Sequence, residues 1–267
     1  METTLKRMRS KIAEREKTAV IQLPLWPEPK RGAPNSFIRS ALFAAIQSKD
    51  RQYLKETVLA SQDGITIRYT GEQLNQTDLD VWETIVHLAR EQPLGTFCNF
   101  TAHSLLKALG LPTGNSQHKQ LHSTIIRLTA CAVEVVHDGH TYFGPLIKSG
   151  AKDDLTRHYG VELNKGIIRL FGDNQWTALD WQQRQALRKH PLAQALHAFY
   201  SSHRHPFALR LETLQAYTGS RNKQIASFKR QAKAALQELV EVGFLHSFEI
   251  VGGLVHVRRA SNYIVHQ

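Results

Sequence analysis

Apolar residues recur along this chain with two spacings, one near 3.6 residues and one of two, and the order in which they alternate predicts its elements. From Ser36, a suitable N-cap, "FIRSALFAAIQ" spaces Phe37, Leu42, Phe43 and Ile46 as a short helix does. "YLKETVLA" and "ITIRYTG" read as two strands joined across Ser61-Gln62-Asp63-Gly64, whose Asp-Gly pair suits a tight turn. Thr77 then caps a helix with Val81, Ile85 and Leu88 on one face, and Thr101 caps a second with Leu105, Leu106 and Leu109, closed by Gly110 and Pro112. After the turn "PTGNS", Gln117 to Ala130 puts Leu121, Ile125 and Leu128 on one stripe. The period then drops to two: "VEVV", the turn Asp138-Gly139 and "TYFGPLI" predict a hairpin.

A bridging stretch predicts another hairpin, "VELNKGIIRLF" around Asn164 to Gly166, and a Trp-flanked helix near "WTALDWQQRQ". The earlier order then returns. His190-Pro191 opens a helix through Leu192, Leu196 and Phe199, with Pro where its missing N–H costs nothing. "RLETLQAYTG" is a short second helix ended by Gly219. Ser220 caps a long third one carrying Ile225, Phe228, Leu236, Leu239 and Val242 on one face, and "FLHSFEI", Gly252-Gly253 and "LVHVRR" make its hairpin. The turns Asp138-Gly139 and Gly252-Gly253 each follow a long amphipathic helix, which implies an internal structural repeat. The expected fold class is α+β: two tandem winged-helix (helix-turn-helix) domains behind a disordered N-terminal tail. Residues 1–35 form the tail, 36–150 the first winged helix with its preceding helix and hairpin, 151–189 a bridging hairpin and helix, and 190–267 the second winged helix.

Charge narrows the function. The 267 residues carry 34 Lys plus Arg against 23 Asp plus Glu, a formal net charge of +11, which attracts polyanions, nucleic acid first and acidic membrane surfaces as the competitor. No run approaches the roughly 20 apolar residues of a membrane span, and "METTLKRMRSKIAEREK" lacks the apolar core of a signal peptide, so a cytoplasmic protein is expected. Cys98 and Cys131 sit among apolar neighbours without metal-ligand spacing and read as reduced packing residues.

In a helix-turn-helix the third helix offers its solvent face to the major groove. On the second long helix that face carries Lys223, Ser227, Arg230 and Lys233, with Arg221 and Asn222 at its start, and it turns acidic at Glu238 and Glu241. On the first it carries Ser116, Lys119, Ser123 and Arg127, with Asn115 at the turn. This face is less basic, and an ordinary polar surface or a subunit contact is the alternative reading. Arg258 and Arg259 close the second hairpin, and Lys148 and Lys152 follow the first, placed for phosphates. Enzymatic readings fare poorly. "GPLIKSG" lacks the Gly-Lys pair of a phosphate loop, and "YSSHRH", Tyr200 to His205, sets Arg204 between two would-be metal ligands of a strand-nicking site. No catalytic residue, metal or cofactor is expected, and the chain is read as a non-enzyme.

"PNSFIRSALFAAIQ", "DRQYLKETVLAS" and "YTGEQLNQTDLDVWETIVHLAR", together with the paired pattern, closely resemble the TrfA-type plasmid replication initiators from about Gln22 onward. The resemblance implies binding of origin repeats (iterons), melting of an adjacent AT-rich region with contact to its single strands, recruitment of host initiator and replicative helicase, and a monomer–dimer equilibrium. Family members also carry a Gln-Leu-Ser/Asp-Leu-Phe peptide like that by which bacterial proteins bind the sliding clamp. Gln22-Leu23-Pro24-Leu25-Trp26 is similar in order, departing at Pro24 and Trp26. Pro24, with Pro27 and Pro29 just beyond, keeps the stretch extended, so that Leu25 and Trp26 reach a partner's pocket; the alternative is that it folds back and buries them on its own winged helix.

Overall fold

The computed structural model describes residues 22–93 and 97–260; residues 1–21 of the tail expected over 1–35 lie outside them. Residues 22–29 run extended into β1 (Lys30–Pro34), followed by a single helical turn, α1 (Asn35–Ile38). The helix expected through Gln47 stops there. Ser40 bridges to Ser61, the Ala41 amide donates to the Ala60 carbonyl, and β2 (Phe43–Ala44) pairs parallel with β5 (Leu74–Asn75). Strand partners take the backbone donors that a helix would use internally, so tertiary pairing overrides propensity. β3 (Tyr53–Leu59) and β4 (Ile65–Glu72) form the antiparallel hairpin that their alternation predicts. α2 (Gln76–Ala89) is capped by Asn75, not Thr77: Asn75 Oδ1 accepts from the amides of Thr77 and Asp78, and the Asp78 carboxylate accepts from that of Asn75.

From α2 onward one build occurs twice. α2 is followed by β6 (Phe97–Thr101), α3 (Ala102–Ala108) and α4 (Asn115–Ala130). A hairpin, β7 (Ala132–His137) and β8 (His140–Gly144), precedes β9 (Ser149–Lys152) and β10 (His158–Glu162), and β6, β10 and β9 form one sheet in that order. β11 (Trp176–Asp180) and α5 (Trp181–Ala186) come next. The second copy is α6 (Pro191–Ser201), β12 (Leu209–Arg210), α7 (Leu211–Tyr217), α8 (Ile225–Glu241), β13 (Leu245–Val251) and β14 (Leu254–Arg259), with sheet order β12-β14-β13.

The strand before the middle helix thus selects the hairpin of each copy. β12 pairs with β14 and β6 pairs with β10, so the counterpart of the Gly252-Gly253 hairpin is β9–β10. The expected pairing with the Asp138-Gly139 hairpin is corrected: β7–β8 instead extends the first hairpin into the four-stranded sheet β3-β4-β7-β8. Two further expectations change. "VELNKGIIRLF" is not a hairpin, because its first half is β10 and its second a 3-10 turn, Lys165–Phe171; and "WTALD" is β11, paired with β1, before the helix begins. The long third helix starts at Ile225 with Gln224 as N-cap, leaving Ser220 in the preceding turn.

Two apolar cores result, and their membership redraws the expected boundaries. The first gathers Leu23, Trp26, Ala33 and Phe37 with α2, the four-stranded sheet, Phe171 and Leu179, so residues 22–35 and most of the expected bridge belong to it. The second runs from Leu187 to Val255. Cys98 and Cys131 are buried free thiols, each pushed up to about 11 by burial. Among the described residues no helix is long and apolar enough to cross a membrane.

The cores meet at Arg184 of α5, which is wholly buried. Its guanidinium reaches Asp80 Oδ1 at 2.5 Å, Gln76 Oε1 at 3.0 Å and Glu83 Oε2 at 3.5 Å on α2, and donates to the Gln194 carbonyl of α6 at 3.3 Å; Gln194 Nε2 donates to Asp80 at 3.0 Å. Burial pushes the Glu83 carboxyl up to about 8, with Arg184 opposing and Asp80 adding to the shift. Between its ordinary value near 4.5 and about 8, the folded protein therefore holds a proton that the unfolded chain releases, and stability falls as pH rises through that window. Urea midpoints measured from pH 5 to pH 9 should decline for the natural sequence, and Glu83→Gln should flatten that decline.

Candidate nucleic-acid interface

α4 and α8 bury Leu121-Thr124-Ile125-Leu128 and Ala232-Ala235-Leu236-Leu239, two quartets of identical spacing. Aligning them matches Ser116 with Ser227, Lys119 with Arg230, His118 with Lys229 and His122 with Lys233. The outward rows are therefore equivalent: a hydroxyl followed one turn later by an exposed cation. Asn115, Ser116, Lys119 and Ser123 are exposed on α4, and Arg230 and Lys233 on α8; Ser227 is half-buried and accepts from Asn222 Nδ2 at 3.2 Å. Lys223 is exposed in the turn before α8, and Ile225, expected on the apolar face, is 38 % exposed.

The neighbouring row lines a groove against each hairpin. In the first copy a groove of about 340 Å³ is walled by His118, Lys119 and His122 of α4 and by Lys152, Arg157 and Tyr159 of β9–β10. Tyr159 stacks on Phe100 at 5.6 Å and 11° and places its hydroxyl 3.2 Å from His122 Nδ1, while Lys152 Nζ stands 6.0 Å over its ring. Arg157 donates to Asn115 Oδ1 at 3.4 Å, joining the hairpin to the helix start. In the second copy Lys229 and Lys233 face Phe248 and Ile250 across a groove of about 610 Å³. Cations, hydroxyls and a stacked aromatic in a concave strip suit a polyanion's phosphates, sugars and base edges.

Other candidates have different work. Arg127 is corrected: its side chain is almost wholly buried and pairs with Asp78 at 2.7 Å and Glu72 at 3.0 Å, so it ties α4 to the start of α2 beside the Arg51–Asp78 pair of 2.6 Å. Arg259 is corrected likewise. Its guanidinium lies 5.1 Å over the Phe244 ring and donates to the His203 carbonyl at 3.2 Å, bracing the hairpin base. Arg221 donates to the Asp50 carbonyl and to Gln73 Oε1, tying the second copy to the segments that precede α2. Lys148, just before β9, is held in an ion pair of 2.7 Å with Glu162, and Arg258 stays exposed. His118, His122, Arg157 and Lys229 were missed by sequence reasoning. The helical residues lie one place from chosen positions, but only the β6–β10–β9 pairing shows which hairpin they face.

The candidate clamp peptide is also corrected. Leu23 is 3 % and Trp26 4 % exposed, in the first core; Trp26 stacks on Phe171 at 5.9 Å and 12°. The Trp26 indole N–H donates to His87 Nδ1 at 2.9 Å, and His87 Nε2 lies 3.0 Å from Glu28. Burial, with Arg31 and Arg90 alongside, pushes His87 down to about 4, so a neutral ring accepts from Trp26 and donates to Glu28. Gly32 completes the seat, because a Cβ there would lie 2.6 Å from the indole. Gln22 is exposed but donates to the Arg90 carbonyl at 3.2 Å, leaving Leu25, 69 % exposed, as the stretch's one outward apolar side chain. The alternative of folding back therefore holds for Trp26 and not for Leu25. Trp26→Ala should lower the unfolding free energy by about 3–5 kcal/mol in urea titration, as loss of a buried aromatic does.

A model of the family described as TrfA protein matches residues 2–259. The plasmid replication initiator protein TrfA of Escherichia coli is 28% identical over 264 residues, covering 96% of this chain and 68% of that protein. Among solved structures, domains 2 and 3 of RctB align with a TM-score of 0.57 at 11% identity, over 85% of this chain and 98% of theirs. The Pi initiator protein in complex with iteron DNA aligns with a TM-score of 0.52 at 13% identity, over 67% and 90%.

Proposed function

We propose, for a chain that belongs to the TrfA protein family, a plasmid replication initiator that binds origin iterons as duplex DNA. The observation that carries the reading is the repeated build, with equivalent Ser116/Lys119 and Ser227/Arg230 rows beside equivalent hairpins. Each copy reads as a winged helix, α4 and α8 being the recognition helices and β9–β10 and β13–β14 the wings. Lys119 and Arg230 face base edges or phosphates, with Asn115, Ser123, Lys223 and Arg258 on the flanks. Two such helices on one side of a duplex enter successive major grooves, so one monomer spans roughly 20 base pairs. Melting of an AT-rich neighbour, contact with its single strands, and recruitment of host initiator and helicase complete the reading, and family membership supports them. Self-association as an inactive dimer belongs to it too.

Iteron affinity measured by fluorescence anisotropy tests the assignment. Arg230→Ala and Lys119→Ala should each cost about 1–3 kcal/mol of specific binding if they read bases, or flatten the salt dependence by about one unit of slope if they hold phosphates. Arg127→Ala should lower stability and leave the salt slope unchanged. A plasmid repressor of the same build would bind equally well, and support of origin-dependent replication in cells lacking another initiator separates the two.

The chain is proposed to act without strand cleavage. Tyr200, the nucleophile that a nicking site would need, is 0 % exposed in the second core, and burial pushes its hydroxyl pKa upward. Supercoiled origin plasmid incubated with protein and divalent metal should stay supercoiled, and relaxed circles would contradict this.

A further inference from the structure

The tip of the β9–β10 hairpin presents Leu155 at 96 % exposure. It is presented by a built turn. Asp153 Oδ1 accepts from the amides of Leu155 at 2.8 Å and Thr156 at 3.0 Å, the Asp153 amide donates to the His158 carbonyl at 2.9 Å, and Arg157 holds a left-handed φ of 57°. At the tip itself Lys152 and Arg157 balance Asp153 and Asp154, and Lys119 across the groove tips the strip to positive. Asp154 is paired with Lys152 at 2.6 Å and Asp153 is engaged in the turn, so neither carboxylate stands unopposed. The other copy repeats the device independently. At the β13–β14 tip Val251 is 52 % and Leu254 37 % exposed on either side of Gly252 and Gly253, with Glu249 opposite His256 and Arg258 further back. An apolar side chain on a hairpin tip beside a cationic groove matches the way proteins enter the minor groove: cations hold the phosphates while an apolar wedge unstacks a base step.

We infer that Leu155 is a wedge that inserts into the minor groove beside the α4 contact and parts adjacent base pairs, coupling iteron binding to distortion of the duplex. This rests on the iteron-binding reading above. The occupant is duplex DNA, because the tip is continuous with the α4 groove, where Lys119 and Arg157 are the cations left for phosphates. Unstacking costs what burial of the isobutyl group returns, so the wedge shapes the DNA more than it raises affinity.

The test uses the full chain with iteron duplexes carrying 2-aminopurine at successive positions, read in parallel with anisotropy. The natural protein should prefer iteron over scrambled duplex at least tenfold and raise 2-aminopurine fluorescence at one or two adjacent steps. Leu155→Ala should abolish that local rise while changing iteron affinity less than about fivefold, and Leu155→Met should restore it; the side chain is exposed, so unfolding midpoints should match. A rise undiminished in Leu155→Ala overturns the inference while leaving iteron binding intact. So does replication lost in Leu155→Ala with an unchanged DNA signal, since Leu155 would then meet a protein. Absence of iteron preference in the natural protein would instead overturn the reading beneath it.

Discussion

The buried guanidinium of Arg184 sits where the two copies of the fold meet, and its ligands come from both sides: Asp80, Glu83 and Gln76 from α2, Gln194 from α6. Removing an ion from water costs several kcal/mol, so such a group persists only with its hydrogen bonds satisfied. A neutral Glu83 lowers that cost, since two ionised carboxylates beside one guanidinium would leave a net buried charge. The same geometry fixes orientation, because α2 and α6 are the first helices of the two copies. Secondary ties run parallel to it, Arg221 to Asp50 and Gln73, and Arg39 to Ser202 at 2.9 Å. These ties join the copies that carry the α4 and α8 faces, as the proposed single DNA-binding surface requires.

Charge has two destinations in this molecule. Arg51, Arg127, Arg184 and Arg259 point inward to carboxylates, carbonyls or an aromatic face, whereas Lys119, Lys152, Arg157, Lys229 and Arg230 line the exposed strips. Guanidinium suits the first task, with donors in a planar fork that buried oxygens can saturate. The excess of cations is therefore an overestimate of the binding surface. Arg127 shows why: it lies at helical spacing from Ser123, yet Asp78, a cap residue of another helix, claims it.

Much of the fold was legible because its helices are strongly amphipathic and its turns carry Asp-Gly and Gly-Gly pairs. Leu121, Ile125 and Leu128 are buried as their spacing predicts, and Gly252 and Gly253 adopt positive φ in a tight turn. What failed depended on distant partners. Nothing local in "VEVV" tells that β7 pairs with β4 rather than closing a wing, and nothing local in "QLPLW" tells that His87 and Gly32 form a seat for Trp26. Pro24, Pro27 and Pro29 exclude regular structure but not burial. The site was legible as a helix face and illegible as a groove, because the second wall is a hairpin some 30 residues onward whose pairing is non-local.

The proposal that α4 and α8 engage one duplex together is tested most directly by hydroxyl-radical footprinting of the monomer on its cognate iteron. Two protected blocks about one helical turn apart, within roughly 20 base pairs, are the predicted result. A single block of half that length would mean that only one copy engages the duplex, and would contradict it.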